Sequence, residues 1–272
     1  MRIDFIKVNP VQNMTILVKS SHDRGLYREI AAKLMGYDSV CAEQVGFIEP
    51  VENRMALVRV QMMGGEFCGN AAMSMAAVIA RDSGFRTGET RIIPLEVSGA
   101  DRTLECEVTA AEQSYICKIE MPAPKEIKKV RFKVSGNAIE ADLVRIPGIS
   151  HIIIGAGDHS HDLESFAGEA MDSLPDLIED EAFGLLFFNE EKLSMTPVVY
   201  VKDIGVPVWE RSCASGTTAI GAYLALRTCG DVELAVDQPG GTSVVYTQSS
   251  GCAMRIWVKA EVKIAAEGTA FI

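Results

Sequence analysis

The sequence predicts a mixed α/β (α+β) protein made of two similar halves, and three observations carry that expectation. Strand-sized apolar segments alternate with helical ones along the whole chain. A short charge-free segment that opens on a cysteine occurs twice. Pro122-Ala123-Pro124-Lys125 lies between the two occurrences and is the best internal boundary. The expected division is therefore residues 1–124, carrying Cys68, and residues 125–272, carrying Cys213, with the final strand free to cross back to the first half.

Phe5 to Val8 and Met14 to Val18 read as strands around a turn built on Asn9-Pro10. Ser21-His22-Asp23 offers cap chemistry for a helix with Leu26, Ile30 and Leu34 on one face, closed by Gly36. Strands are expected at Glu43 to Ile48 and Ala56 to Met62, ahead of Gly64-Gly65 and the first cysteine segment. Ile92 to Ser98, Thr103 to Val108 and Tyr115 to Met121 alternate apolar with polar residues and read as further strands. In the second half strands are expected at His151 to Ile154, Gly184 to Phe188 and Val198 to Lys202. A helical pattern runs between Asp162 and Ile178, and a strand-rich tail follows the second cysteine segment, Trp209-Glu210-Arg211-Ser212-Cys213.

At 272 residues and 48% hydrophobic content the chain can bury a large core. Its 37 acidic residues outnumber 26 basic ones, for a net charge of -11. That balance lacks the basic footprint a nucleic-acid partner requires and does not suit an anionic membrane surface. No apolar run has the length of a signal peptide or a membrane span, so a cytoplasmic location is expected. The seven cysteines include no C-x-x-C pair, which speaks against a zinc or thioredoxin-like site. The default reading of each is a small buried hydrophobe.

Cys68 and Cys213 depart from that default. Cys68-Gly69-Asn70-Ala71 opens a run of small and apolar residues to Ala80, and Cys213-Ala214-Ser215-Gly216 opens a similar one to Ala225. Ala77 aligns with Ala222 and Ala80 with Ala225, and each run meets an arginine soon after it ends, Arg81 and Arg227. A surface helix would show a polar face; these read as two buried helices, each beginning at or near a cysteine. A helix N-terminus presents unpaired N–H groups, which ease ionisation of a thiol and bind a carboxylate. Two such thiols, one per half, suit removal of a proton from one face of an amino-acid α-carbon and its return to the other. Fixed N–H dipoles at the carboxylate would stabilise the carbanion. No pyridoxal-phosphate lysine motif is present, so the natural version of this chemistry uses no cofactor. Packing alone, or a disulfide between the two, are the competing readings.

At these residues the sequence resembles the diaminopimelate epimerase and proline racemase superfamily over nearly its whole length. Asn13 sits where the epimerases have an early asparagine, Glu43-Gln44 resembles their Asp-Gln pair, and Cys68-Gly69-Asn70 matches their first cysteine motif. Ser150-His151 resembles a Pro-His strand start, and Gln238-Pro239-Gly240-Gly241 a late Pro-Gly-Gly turn. The chain departs from the diaminopimelate enzymes at Ile149, where they have asparagine, and in a short loop before Cys68. It also lacks a Gly-rich insert between Glu210-Arg211 and Cys213. Those elements hold the second amino-acid end of diaminopimelate, so a substrate with one such end is implied. A closer resemblance is to the histidine racemases that supply D-histidine for staphylopine-type metallophores. It rests on Asn13-Met14-Thr15-Ile16-Leu17-Val18, Glu43 to Glu49, Glu66-Phe67-Cys68-Gly69-Asn70-Ala71, and Ser212-Cys213 with Ser215-Gly216-Thr217.

The resemblance implies, in each half, a curved, mainly antiparallel sheet wrapped around one buried helix, with the active site between the halves. It makes Cys68 and Cys213 the acid–base pair of a cofactor-independent racemase. The amides of Gly69, Asn70, Ala214 and Ser215 would hold the α-carboxylate. Asn13 and Gln44 would bind the amino acid, and Glu43 and Glu210 would receive its ammonium or imidazole. The implied partner is a small-molecule amino acid; a homodimer stays open. Asp158-His159-Ser160-His161-Asp162 has the look of a metal loop but reads better as a polar helix start, so no metal is expected. His151 reads as a buried, hydrogen-bonded histidine rather than half of a hydrolase dyad, and Cys106 and Cys117 read as core.

Overall fold

The computed structural model describes residues 1–155, 162–174, 177–180, 182–202, 207–250 and 253–272. The chain divides into two units, Met1–Glu120 with Val258–Ile272, and Met121–Trp257. Each has its own hydrophobic core.

The first unit contains β1 (Arg2–Pro10), β2 (Thr15–Val18), α1 (Tyr27–Met35), β3 (Gln44–Glu49), β4 (Val58–Met62) and α2 (Gly69–Asp82). β5 (Thr90–Val97), β6 (Leu104–Ala110) and β7 (Tyr115–Met121) follow. The second unit holds β8 (Glu126–Val134), β9 (Asn137–Ile146), β10 (Ile149–Gly155), α3 (Leu163–Ser173), β11 (Ala182–Asn189), β12 (Ser194–Val201) and β13 (Pro207–Trp209). It continues with α4 (Ala214–Thr228), β14 (Val232–Gln238) and β15 (Gly241–Ser250). The last strand, β16 (Ala253–Phe271), begins in the second unit and from Val258 belongs to the first.

The strand order in the first unit is β1-β2-β3-β4-β5-β6-β7-β16, and pairing of β1 with β16 closes the sheet on itself. From β1 to β7 the successive pairings are antiparallel, parallel, antiparallel, parallel, antiparallel and antiparallel. In the second unit β9-β10-β11-β12-β14-β15 repeats the first five of these relations. The two parallel crossovers of each unit carry a helix, as parallel neighbours require. α2 packs against β1, β2, β5 and β6, and α4 against β9, β10, β14 and β15, which are the corresponding strands. The repeat in hydrogen bonding is thus far longer than the repeat in sequence.

Small residues make these helices fit. All of α2 from Gly69 to Val78 is buried. Gly221 of α4 faces β15, where an added Cβ would lie 3.0 Å from Thr247 Oγ1 and 3.1 Å from Val245 Cγ1. α4 emerges in its last turn, where Leu226 is exposed, so it is not apolar-buried all round. Around α1 the first unit packs Tyr27, Ile30 and Leu34 onto Val45 and Phe47, with the Tyr27 and Phe47 rings stacked.

Three local expectations differ. Leu26, expected on one face of the first helix with Ile30 and Leu34, precedes α1 and is exposed. The turn after β1 is centred on Val11 and Gln12, both at positive φ (51° and 62°), rather than on Asn9-Pro10. Asn9 caps it through Oδ1, which accepts from Gln12 N at 2.5 Å, and this delivers Asn13, fully buried, to the start of β2. The hairpin of β8 and β9, turning at Ser135-Gly136, is absent from the strands expected from sequence; five charges in Glu126–Val134 mask its alternation.

Candidate active site

Each cysteine is the N-cap of its helix. Cys68 has extended φ/ψ, its sulfur accepts from Ala71 N at 3.3 Å, and its carbonyl accepts the first helical bond from Ala72 N at 3.0 Å. Cys213 does the same: its sulfur accepts from Gly216 N at 3.4 Å and its carbonyl from Thr217 N at 2.9 Å. The amides of Gly69 and Asn70, and of Ala214 and Ser215, therefore precede the first intrahelical bond of each helix and remain donors for a ligand.

Asn13, Glu43, Gln44 and Cys68 come together in the first unit because β2 and β3 run in parallel, with Thr15 opposite Gln44. Glu43 N donates to Met14 O at 2.8 Å. Gln44 Nε2 donates to Asn13 Oδ1 at 2.7 Å, which turns Gln44 Oε1 toward Cys68, and the Cys68 thiol donates to it. The segment entering Cys68 is buttressed from behind. Ser98 Oγ accepts from Met62 N at 2.9 Å and donates to Glu66 O at 2.8 Å. Gly99, at φ +74°, lies against the same backbone: a Cβ there would meet Glu66 C at 2.8 Å and Phe67 Cα at 3.0 Å.

Cys213 lies deeper than Cys68, with 4% of its surface exposed. Burial pushes its thiol well above the usual range, and the charge and hydrogen bond of Glu210 push it further. Ser215 and the Gly216 amide act in the opposite direction but do not prevail. At Cys213 burial outweighs the hydrogen bonds that favour ionisation. That balance favours the thiol. Ser215 Oγ is 3.3 Å from the sulfur, and His151 Nε2 is 2.9 Å from Ser215 Oγ. His151 is fully buried, and burial lowers its imidazole to about 3, so it is neutral. Gly184, opposite it on β11, makes room for the ring: a Cβ there would be 2.6 Å from Nδ1.

The structure thus gathers Asn13, Glu43, Gln44, Cys68, Gly69 and Asn70 within the first unit. It gathers Glu210, Cys213, Ala214 and Ser215 within the second. Sequence reasoning missed the link from His151 to Ser215, 64 residues apart, which only the topology reveals. It also assigned no role to Gln238, whose Oε1 accepts from Cys213 N at 2.7 Å; the Pro-Gly-Gly turn after it was the available signal. Asp158 to His161 lie outside the described residues, and Asp162 caps α3, accepting from Ser165 N at 3.0 Å. Among the described residues no cluster of His, Cys, Asp and Glu is arranged to hold a metal ion, and no helix is long and apolar enough to cross a membrane. Cys106 and Cys117 are buried, and Cys41 is exposed.

Comparison with known proteins agrees with this fold. A probable proline racemase from Agrobacterium radiobacter K84 superposes with a TM-score of 0.74 at 12% identity, covering 99% of this chain and 92% of that one. A hydroxyproline epimerase from Agrobacterium vitis gives 0.70 at 9% identity, over 98% and 92%. In sequence, the histidine racemase of Fusobacterium nucleatum subsp. nucleatum is 33% identical over 99% of this chain and 97% of that protein. The histidine racemase of Staphylococcus aureus is 31% identical over 99% and 98%. The family model of the histidine racemase CntK N-terminal domain matches residues 2–271. With that coverage, the chain belongs to the histidine racemase family and is an isomerase of the amino-acid racemase class.

Proposed function

We propose that this protein interconverts L- and D-histidine by a two-base mechanism in which Cys68 and Cys213 work on opposite faces of the α-carbon. The single observation that supports it most is the duplicated constellation: a cysteine at the N-cap of a buried helix, once in each unit. Histidine is the choice because it is the substrate named for the curated relatives.

One cysteine, as thiolate, takes the α-proton; the other, as thiol, gives its proton to the opposite face. The thiol and thiolate have then exchanged, and the reverse reaction runs with the roles reversed. The charge that develops on the substrate carboxylate is met by the amides of Gly69, Asn70, Ala214 and Ser215. Asn13 and Gln44 orient the amino acid, and Glu43 and Glu210 receive its ammonium and imidazole. The raised Cys213 thiol suits that residue to the role of acid in one direction of the reaction. We further infer that D-histidine made here feeds metallophore biosynthesis and that the enzyme works in the cytoplasm. A reducing compartment suits the free thiols among the described cysteines.

The test is proton NMR of L-histidine with purified enzyme in deuterated water, no cofactor added, followed by chiral separation. Loss of the α-proton signal together with appearance of D-histidine is expected. Absence of exchange with histidine, alongside exchange with another amino acid, would replace the substrate and leave the mechanism standing.

A further inference from the structure

Cys213 is fixed by more than its helix. Its backbone N–H donates to Gln238 Oε1 at 2.7 Å. Gln238 Nε2 donates to Thr217 Oγ1 at 3.1 Å, and Thr217 Oγ1 donates to Cys213 O at 2.8 Å. The three bonds close a ring, and its polarity is forced. A backbone N–H can only donate, so the Gln238 oxygen must face it; the Gln238 amide nitrogen then faces Thr217, whose hydroxyl is left to donate to the carbonyl. All three residues are buried. The N–H of an N-cap residue is not bonded within its helix, so this ring supplies what helix formation alone does not.

The turn that follows Gln238 grips the same segment again. Gly240 N donates to Arg211 O at 2.7 Å, and Arg211 Nη2 donates to Pro239 O at 3.1 Å. The corresponding turn of the first unit, Ser98-Gly99 after β5, braces the approach to Cys68. The ring itself has no counterpart there, because the residue four beyond Cys68 is Ala72, which has no hydroxyl.

We propose that Gln238 and Thr217 are positioning residues that hold the Cys213 backbone, and through it the sulfur, in register for proton transfer. This rests on the reading of Cys213 as an acid–base residue. Proton transfer depends steeply on donor position, whereas substrate affinity depends on the amides and side chains that contact the amino acid. Loss of the ring should therefore lower turnover while leaving KM near its original value.

The experiment compares Thr217→Val, Thr217→Ser and Gln238→Ala in histidine α-proton exchange, with Cys213→Ser run beside them. Thr217→Val keeps the shape and removes the hydroxyl. Its kcat should fall by about 10- to 100-fold with KM changed less than about twofold, and Gln238→Ala should behave alike. Thr217→Ser restores the hydroxyl and should return kcat to within about threefold of the parent. If Thr217→Val and Gln238→Ala fold and turn over at the parent rate while Cys213→Ser is inactive, the positioning role is wrong and the two-thiol reading stands. If Cys213→Ser itself is active, that reading falls first. Amide hydrogen exchange in the unaltered protein supplies a check that needs no variant to fold. The Cys213 N–H should be among the slowly exchanging amides, and exchange at the rate of an exposed loop would overturn the ring.

Discussion

Cys68 and Cys213 share one backbone conformation, φ -133° and ψ 109° against φ -131° and ψ 108°, and each sulfur accepts from the amide three residues ahead. Helices prefer Ser, Thr, Asp or Asn at this position because an oxygen is the better acceptor. Both units place sulfur, a weaker acceptor, there instead, at 3.3 Å and 3.4 Å from the donor nitrogen. Stability is not what selects these residues. Replacement of half-buried Cys68 by serine should hold or raise the unfolding free energy, by up to about 1 kcal/mol, while it removes activity. Urea unfolding of Cys68→Ser beside the parent measures this, and a loss of several kcal/mol would mark Cys68 as a packing residue.

Glu210 adds to the effect of burial on the Cys213 thiol. Burial raises that thiol first, and the adjacent carboxylate adds to it by charge and hydrogen bond. Glu210→Gln removes the charge and leaves the burial, so Cys213 should react with iodoacetamide at lower pH than in the parent. Peptide-resolved alkylation against pH reads the midpoint of Cys213 separately from the other cysteines. An unmoved midpoint would show that burial alone sets it.

His151 makes the fold sensitive to acid. Its imidazole titrates at about 3 when folded, depressed by burial from its ordinary value of 6.5. The unfolded chain therefore binds a proton in this window that the folded chain refuses. The contribution is complete above the unfolded value and is lost as pH falls toward the folded one. Between roughly pH 6 and pH 4 the parent should lose stability more steeply than His151→Asn, by up to about 1.4 kcal/mol per pH unit. Chemical unfolding of both proteins across that range is the measurement; parallel curves would mean that the ring is protonated without cost.

Gly99 should be intolerant of a side chain. Its φ of +74° disfavours other residues, and a Cβ would press on the Glu66–Phe67 backbone just ahead of Cys68. Gly99→Ala should cost about 1–3 kcal/mol of stability and lower kcat by moving the Cys68 segment. Gly136 also has positive φ, at +77°, but nothing lies within 4 Å of where its Cβ would be. Gly136→Ala therefore serves as the control for backbone strain without crowding, and equal effects at both positions would rule out the buttress.

Much of this site was legible in the order of residues. The two charge-free segments revealed both helices and the cysteines at their starts, since a helix with no polar face must be buried. Glu43-Gln44 and Asn13 were visible as motifs, though not the hydrogen bond that joins Gln44 to Asn13 and turns its carbonyl toward Cys68. The contact of His151 with Ser215, and of Gln238 with Cys213, depends on which strands become neighbours, and local patterning does not encode that. The hairpin at Glu126–Val134 and Asn137–Ile146 escaped for another reason. Its charges fall on both faces of the strand: Glu126 and Lys128 share the side of buried Phe132 and Val134, and this breaks the apolar–polar alternation.

The most direct test of the two-base account is racemisation of L- and D-histidine by Cys68→Ser and Cys213→Ser, each verified as folded, followed by chiral chromatography. Both variants should lose at least about 100-fold in rate with either enantiomer, because each direction needs one cysteine as base and the other as acid. Retention of parent-like racemisation by either variant would contradict the pairing of these two thiols.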